Sequence, residues 1–155
     1  MVEGGATATV GGSVSGDNVV YVANGSLNVK GDVESKNGRT VDIWGSDKTT
    51  CIIEGNVKSD TNIDIILDAG RLPNNEDNEL AIAGKIENKN ADAIIEVPVD
   101  ENGKATNLPE IVVGEIEDIN KIDIINIDNG EKLSDSAKKE VIVISNTLSA
   151  RIRIA

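Results

Sequence analysis

The chain contains no His and no Phe, and only one Trp, one Tyr, one Met and one Cys. Each shortage removes a class of answer. Without His the usual general base and metal-binding imidazole are missing. With Cys51 alone, no internal disulfide can form. A core without large aromatic rings must be filled by Val, Ile, Leu and Ala. Such fillers suit a stack of thin repeated layers better than a thick globule. No apolar run approaches the length of a membrane span, which argues against direct membrane insertion. The opening "MVEGGATATV" has neither the charged start nor the apolar stretch of a secretion signal. Met1 reads as the start of a segment excised from a larger protein, whose signal would lie elsewhere.

What is present is acidic and turn-rich. The 155 residues carry a formal net charge of -12, with a sequence pI near 4.4. Nucleic acid and anionic membrane surfaces would repel such a chain, whereas cations and neutral glycans would not. Seventeen Asn and 15 Gly imply recurrent turns.

The turns recur with a phrase. Gly12, Gly31, Gly55, Gly84 and Gly114 open "GSVSGDNVVYV", "GDVESKNGRTVDIW", "GNVKSDTNIDIIL", "GKIENKNADAII" and "GEIEDINKIDII", and Asn146 takes the same place in "ISNTLSARIRI". The anchors lie 19, 24, 29, 30 and 32 residues apart. Apolar residues sit four and two before the anchor (Leu27 and Val29, Cys51 and Ile53, Leu80 and Ile82, Ile142 and Ile144), with Glu110 and Val112 deviating. Another sits two after it: Val14, Val33, Val57, Ile86, Ile116 and Leu148. An Asn follows at Asn18, Asn37, Asn62, Asn90 and Asn120, and then a stretch of period two. Each unit therefore reads as short strand, Gly bend, short strand, Asn turn and third strand. Equivalent residues should stack in columns about 4.8 Å apart, with the Asn amides bonded along their column.

On these features the chain resembles the right-handed parallel β-helix proteins of the pectate-lyase-like type, over residues 10–155. The resemblance implies an all-β solenoid of about six three-stranded rungs, and it supplies the handedness, which the periodicity does not. The rival is an antiparallel sandwich, because "NG" at Asn24, Asn37, Asn102 and Asn129 is a strong hairpin signal. A sandwich does not explain the constant offsets of the columns.

The repeat lengthens in one place, the connection after the third strand. Stacked rungs would gather these growing loops on one edge, where repeat proteins commonly bind partners. Asp68, Arg71, Asn74, Asn75, Asn102 and Lys104, together with Trp44 as a platform for a sugar ring, are the candidate ligand surface. The alternative is drift in solvated loops.

Alternation in the third strand sends Val41, Ile43, Ile63, Ile65, Ala91, Ala93, Ile122 and Ile124 inward and Asp42, Asp64, Asp92 and Asp123 outward. Like charges at a strand spacing repel by about 1 kcal/mol per neighbouring pair in water, and more near protein. This column is the candidate metal site, with Ca²⁺ as the cation that carboxylate oxygens suit. Pairing of Asp123 with Arg153, shared protons or a merely solvated acidic stripe would serve as well. The next outward column, Val22, Trp44, Ile66, Ile94 and Ile125, is apolar, so it is covered by a partner or returned to the core by a bulge.

In lyases of this architecture the resemblance would place acidic metal ligands and an Arg or Lys base around the first strand. Its outward positions here are Asn28, Lys30, Ile52, Glu54, Ala81, Ala83, Ile111, Val113, Val143 and Ser145, which lack such a set. No catalytic residue and no required cofactor emerge. The chain reads as a single β-solenoid domain, residues 1–155, that is a non-catalytic extracellular or bacterial cell-surface module. Its partners would be a glycan or another surface protein, with homo-oligomers or flanking domains of the same chain as further contacts. Alternatives are a self-associating polymer of the bactofilin type and a polysaccharide lyase or hydrolase. "RIRIA" reads as a strand cut open, to be covered by more chain or by a second copy.

Overall fold

The structure, a computed structural model, describes residues 1–44, 49–68, 79–102, 111–136 and 141–145. It is all-β. A first short strand, β1 (Val2–Glu3), precedes three repeats of three strands each. These are β2 (Thr7–Val10), β3 (Val14–Gly16) and β4 (Val20–Ala23); then β5 (Ser26–Val29), β6 (Val33–Ser35) and β7 (Val41–Trp44); then β8 (Thr50–Ile53), β9 (Val57–Ser59) and β10 (Ile63–Asp68). In the fourth repeat the first two strands run together as β11 (Glu79–Ile86), followed by β12 (Ala93–Val97). The fifth has β13 (Ile111–Ile116) and β14 (Ile122–Asn126), and β15 (Ile142–Ile144) comes last.

Every pairing between these strands is parallel, and each joins equivalent strands of consecutive repeats. One sheet runs β1-β4-β7-β10-β12-β14. The first and second strands form the other, which bends at the glycines and is joined through β11. This order is compatible with a solenoid and excludes hairpins between the named strands. The "NG" pairs make turns instead: Asn24 takes φ 54°, and Gly38 and Gly130 take 73° and 74°.

The interior is the expected aliphatic stack. Val20, Val41, Ile65, Ile95 and Ile124 form one continuous column. Leu27, Cys51, Leu80, Ile111 and Ile142 form another, and both columns are buried throughout. Cys51 is a filler, and burial pushes its thiol up to about 12. The deviation before Gly114 is a deletion of one residue. Ile111 and Val113 stand opposite Leu80 and Ile82, while Ala83 and Gly84 face Gly114 alone. Ile111 and Val113 are therefore buried, not outward.

The glycine bend is tighter than a turn preference requires. Gly31 N donates to Gly12 O, Gly55 N to Gly31 O and Gly84 N to Gly55 O, each at 3.1 Å. A Cβ at Gly55 would be driven into the Asp32 carboxylate and the Gly31 carbonyl; one at Gly84 would meet Asn56 and the Gly55 carbonyl. The next residue completes the bend. Ser13 Oγ accepts from Asp32 N at 2.9 Å, Asp32 Oδ1 from Asn56 N at 2.8 Å and Asn56 Oδ1 from Lys85 N at 2.9 Å. The series stops at Lys85, whose ammonium has no acceptor.

The expected Asn ladder is not at the expected residues. Asn18, Asn37, Asn62, Asn90 and Asn120 are all exposed. The amide inside the corner is Asn88, which is fully buried. It donates to Asp118 O at 2.6 Å and accepts from Asp118 N at 2.9 Å, replacing a peptide group of the ladder. In the second repeat the same corner holds buried Ser35 and Thr40, whose hydroxyls lie 2.8 Å apart. An interior position wants a satisfied polar group, and exposure releases the neighbouring Asn from that demand.

Two stability contrasts follow. Asn88→Ala should cost about 1–3 kcal/mol by orphaning the Asp118 backbone, and Asn90→Ala under about 0.5 kcal/mol, measured by denaturant unfolding. Gly55→Ala should cost about 1–3 kcal/mol or abolish folding. Gly12→Ala, with nothing within 4 Å of its would-be Cβ, should leave the melting temperature nearly unchanged.

Candidate functional site

The outer face of the six-stranded sheet carries most of the chain's unusual chemistry. Alternation in β7 buries Val41 and Ile43 and turns Asp42 and Trp44 outward. The same rule turns out Tyr21 from β4, Asp64 and Ile66 from β10, and Ile94 and Glu96 from β12.

Register decides what meets what. Asp42 stands opposite Tyr21 on one side and Ile66 on the other, and Ile66 stands opposite Glu96. Asp64 stands opposite Ile94, which stands opposite Asp123. The four aspartates therefore do not form one column: an isoleucine separates the carboxylates along each row. Asp92 is exposed and lies one residue before β12, and Asp123 pairs with Lys132 Nζ at 3.1 Å. The reason is a slip of two residues. The third strand meets its neighbour eight positions after Gly12 (Val20) but ten after Gly31 (Val41) and Gly55 (Ile65) and eleven after Gly84 (Ile95). Among the described residues, no group of three or more His, Cys, Asp or Glu side chains is arranged to hold a metal. The Ca²⁺ ladder thus loses the geometry that motivated it.

A smaller cluster takes its place. Arg39 Nη1 bonds the Asp42 carboxylate at 2.8 Å, and Asp42 is only 6% exposed. Asp64 Oδ1 is buried without a partner. Burial foremost, then a hydrogen bond to the Glu96 carboxyl and the charges of Glu96 and Asp42, hold the Asp64 carboxyl up at about 7 against the pull of Arg39. The Asp64 carboxyl therefore keeps its proton further toward neutral pH than an ordinary carboxyl does. Burial and the charges of Asp42 and Glu3 also raise the Tyr21 hydroxyl. Glu96 escaped the sequence reading because the strand was started two residues early, at Ala91, and ended at Ile95, one residue short of it.

The apolar outward column is likewise divided. Val22 is interior, stacked on Ile43. Ile66 is covered at 4% exposure, Ile94 and Ile125 are half-buried, and Trp44 is 47% exposed. Trp44 stands between Ala23 and Asp68. Of the other candidate ligand residues, Asp68 closes β10, and Asn102 is exposed with its N–H on Asp100 Oδ1 at 2.8 Å. Arg71, Asn74, Asn75 and Lys104 lie outside the described residues, as do Asn146, Leu148 and Arg153.

Comparison with protein-family models, curated proteins and solved structures returns no match.

The cluster sets a pH dependence. Asp64 ionises near 3.8 in the unfolded chain but near about 7 in the fold, so between those values the folded state holds an extra proton. Its contribution to stability is complete below the lower value and is lost as pH rises through the upper one. Asp32 has the opposite sign. The Asn56 N–H, and after it Lys58, lower its folded value below 3.8 despite partial burial, so its contribution is present above 3.8 and is lost on acidification through the folded value. The melting temperature should rise as pH is lowered from about 8 to about 5. Asp64→Asn should raise it at the alkaline end and remove most of that rise. An unchanged pH profile in the variant would show that Asp64 titrates normally.

Proposed function

We propose that the chain is a right-handed parallel β-helix serving as a non-catalytic, glycan-binding module of a cell-surface or secreted protein, with the outer face around Trp44 as its contact surface. The observation that carries this reading is the combination on one rigid sheet of an exposed indole with the Asp42–Asp64–Glu96 carboxyl cluster. An aromatic face and hydrogen-bonding carboxyls are what a sugar ring needs: one covers its C–H face, the others bind its hydroxyls. The rest of the chain supports a structural body. Lys30 pairs with Glu54 at 2.7 Å, Lys58 with Asp32 at 3.3 Å and Lys36 with Asp60 at 3.2 Å, each between consecutive repeats. Charges in these pairs stitch the stack and are not gathered into a reactive set.

One observation favours a second reading, a polysaccharide-cleaving enzyme. A buried carboxyl with an unpartnered oxygen, raised toward neutral pH next to a second carboxyl, is a device of acid–base hydrolysis. Cleavage of a glycan that binds, lost in Asp64→Asn, would establish it.

A glycan array read with and without Ca²⁺ is the primary test. For any glycan retained, Trp44→Ala should weaken binding about tenfold, near 1.4 kcal/mol, with an unchanged melting temperature. Retention that ignores Trp44 would move the contact surface elsewhere.

A further inference from the structure

We infer that Asn37 is a self-modifying site, at which the Gly38 backbone nitrogen converts the Asn37 side chain, through a cyclic imide, to aspartate and isoaspartate. Three Asn-Gly pairs lie wholly within the described residues: Asn24-Gly25, Asn37-Gly38 and Asn129-Gly130. A following glycine favours this reaction at each of them, because no side chain shields its nitrogen and its backbone turns freely. The sequence therefore ranks the three alike. The fold does not.

Hydroxide must reach the glycine N–H, the nitrogen must be free of hydrogen bonds, and the Asn side chain must swing onto it. At the first pair, Asn24 is half-buried and its N–H donates to Thr49 Oγ1 at 3.0 Å, while Gly25 is buried with the Ala6 carbonyl against it. At the third, both residues are exposed, but Gly130 N donates to Asn126 O at 2.8 Å and Asn129 Oδ1 accepts from Glu131 N at 2.9 Å. Attack there must give up both bonds. At the second, Asn37 and Gly38 are both exposed. Among the described residues nothing accepts from the Gly38 N–H. The Asn37 amide reaches Asp17 Oδ1 only at 3.5 Å, beyond the usual span of a hydrogen bond. The residues on either side are pinned: Lys36 N donates to Gly16 O at 2.7 Å and Arg39 N to Asn18 Oδ1 at 3.0 Å. The corner holds its ends and leaves the reactive pair bare between them.

Hydroxide takes the Gly38 amide proton, and the nitrogen bonds to Asn37 Cγ. The bond from Cγ to Nδ2 breaks, and the side-chain nitrogen leaves as ammonia with a proton from water. Water then opens the imide. Attack at Cγ gives aspartate; attack at the main-chain carbonyl gives isoaspartate, whose chain runs through the former side chain. Nothing is oxidised or reduced. Either product exchanges a donor facing Asp17 for a carboxylate, and like charges so placed repel. Isoaspartate also lengthens the backbone just before Arg39, which holds Asp42.

Folded protein kept at mildly alkaline pH, then digested and mapped by mass spectrometry, should show Asn37 converting about tenfold faster than Asn24 or Asn129. Labelling with an isoaspartyl methyltransferase should fall on the same peptide, and Asn37→Gln, whose longer side chain does not close the five-membered ring, should remove it. In denaturant the restraints at the other two pairs are gone, so the three rates should converge. Equal rates at the three residues in the fold, a faster reaction at Asn24 or Asn129, or an advantage of Asn37 that persists in denaturant would overturn the inference. None of these outcomes depends on whether a glycan binds.

Discussion

The structure depends on the close approach of backbones at the glycine bend. From Gly12 to Gly84 the successive anchors bond one another at 3.1 Å, with no room for a side chain at Gly31, Gly55 or Gly84. Once that distance is set, the first and second strands on either side must lie at pairing distance. The side chain after each glycine then finds the N–H of the next repeat within reach, and Ser13, Asp32 and Asn56 use three different chemistries for that one task. Where the acceptor becomes Lys85, the chain loses a residue before Gly114 and its register changes. Sequence irregularity and structural irregularity coincide there because the same bond governs both.

The bend was legible in the sequence because at Gly31, Gly55, Gly84 and Gly114 a Cβ would meet the backbone of the repeat before, a demand that one residue type meets. The alternation of the third strand was legible too: of the residues expected inward, Val41, Ile43, Ile63, Ile65, Ala93, Ile122 and Ile124 are buried, while Ala91 precedes β12 and is only half-buried. Register was not. A slip of one residue would have turned these side chains out, but a slip of two leaves every one facing the same way. Periodicity cannot distinguish Ile63 from Ile65 as the partner of Val41. The interior and the all-β class therefore survive the slip, and the acidic column does not. Asn88 was missed for a related reason. Asn88 and Asn90 differ by one step of the same parity, and only burial tells which amide must be satisfied.

Charge on this chain acts in two ways. Along the outside of the bent sheet, oppositely charged residues of neighbouring repeats pair, as Asp32 does with Lys58 and Lys85 with Glu117 at 3.6 Å. Exposed pairs of this kind contribute little stability singly, but they discriminate against registers that would bring like charges together. On the other sheet the buried Asp64 carboxyl, near Glu96 and Asp42, is held well above the ordinary carboxylate range. The first region tolerates its charges, and the second is under electrostatic strain. Strain of that kind is what a ligand or a proton can relieve.

Parallel stacking also separates neighbours in space from neighbours along the chain. β7 is held by β4 and β10, while its covalent neighbours β6 and β8 belong to the other sheet. A cut in the connection between a third strand and the next first strand would leave every strand pair bonded as before. The two pieces would remain one particle, joined by strand ladders and a shared aliphatic interior. Covalent continuity is thus needed to assemble the stack but not to hold it, and a protease working on its loops would mark the chain without dismantling it.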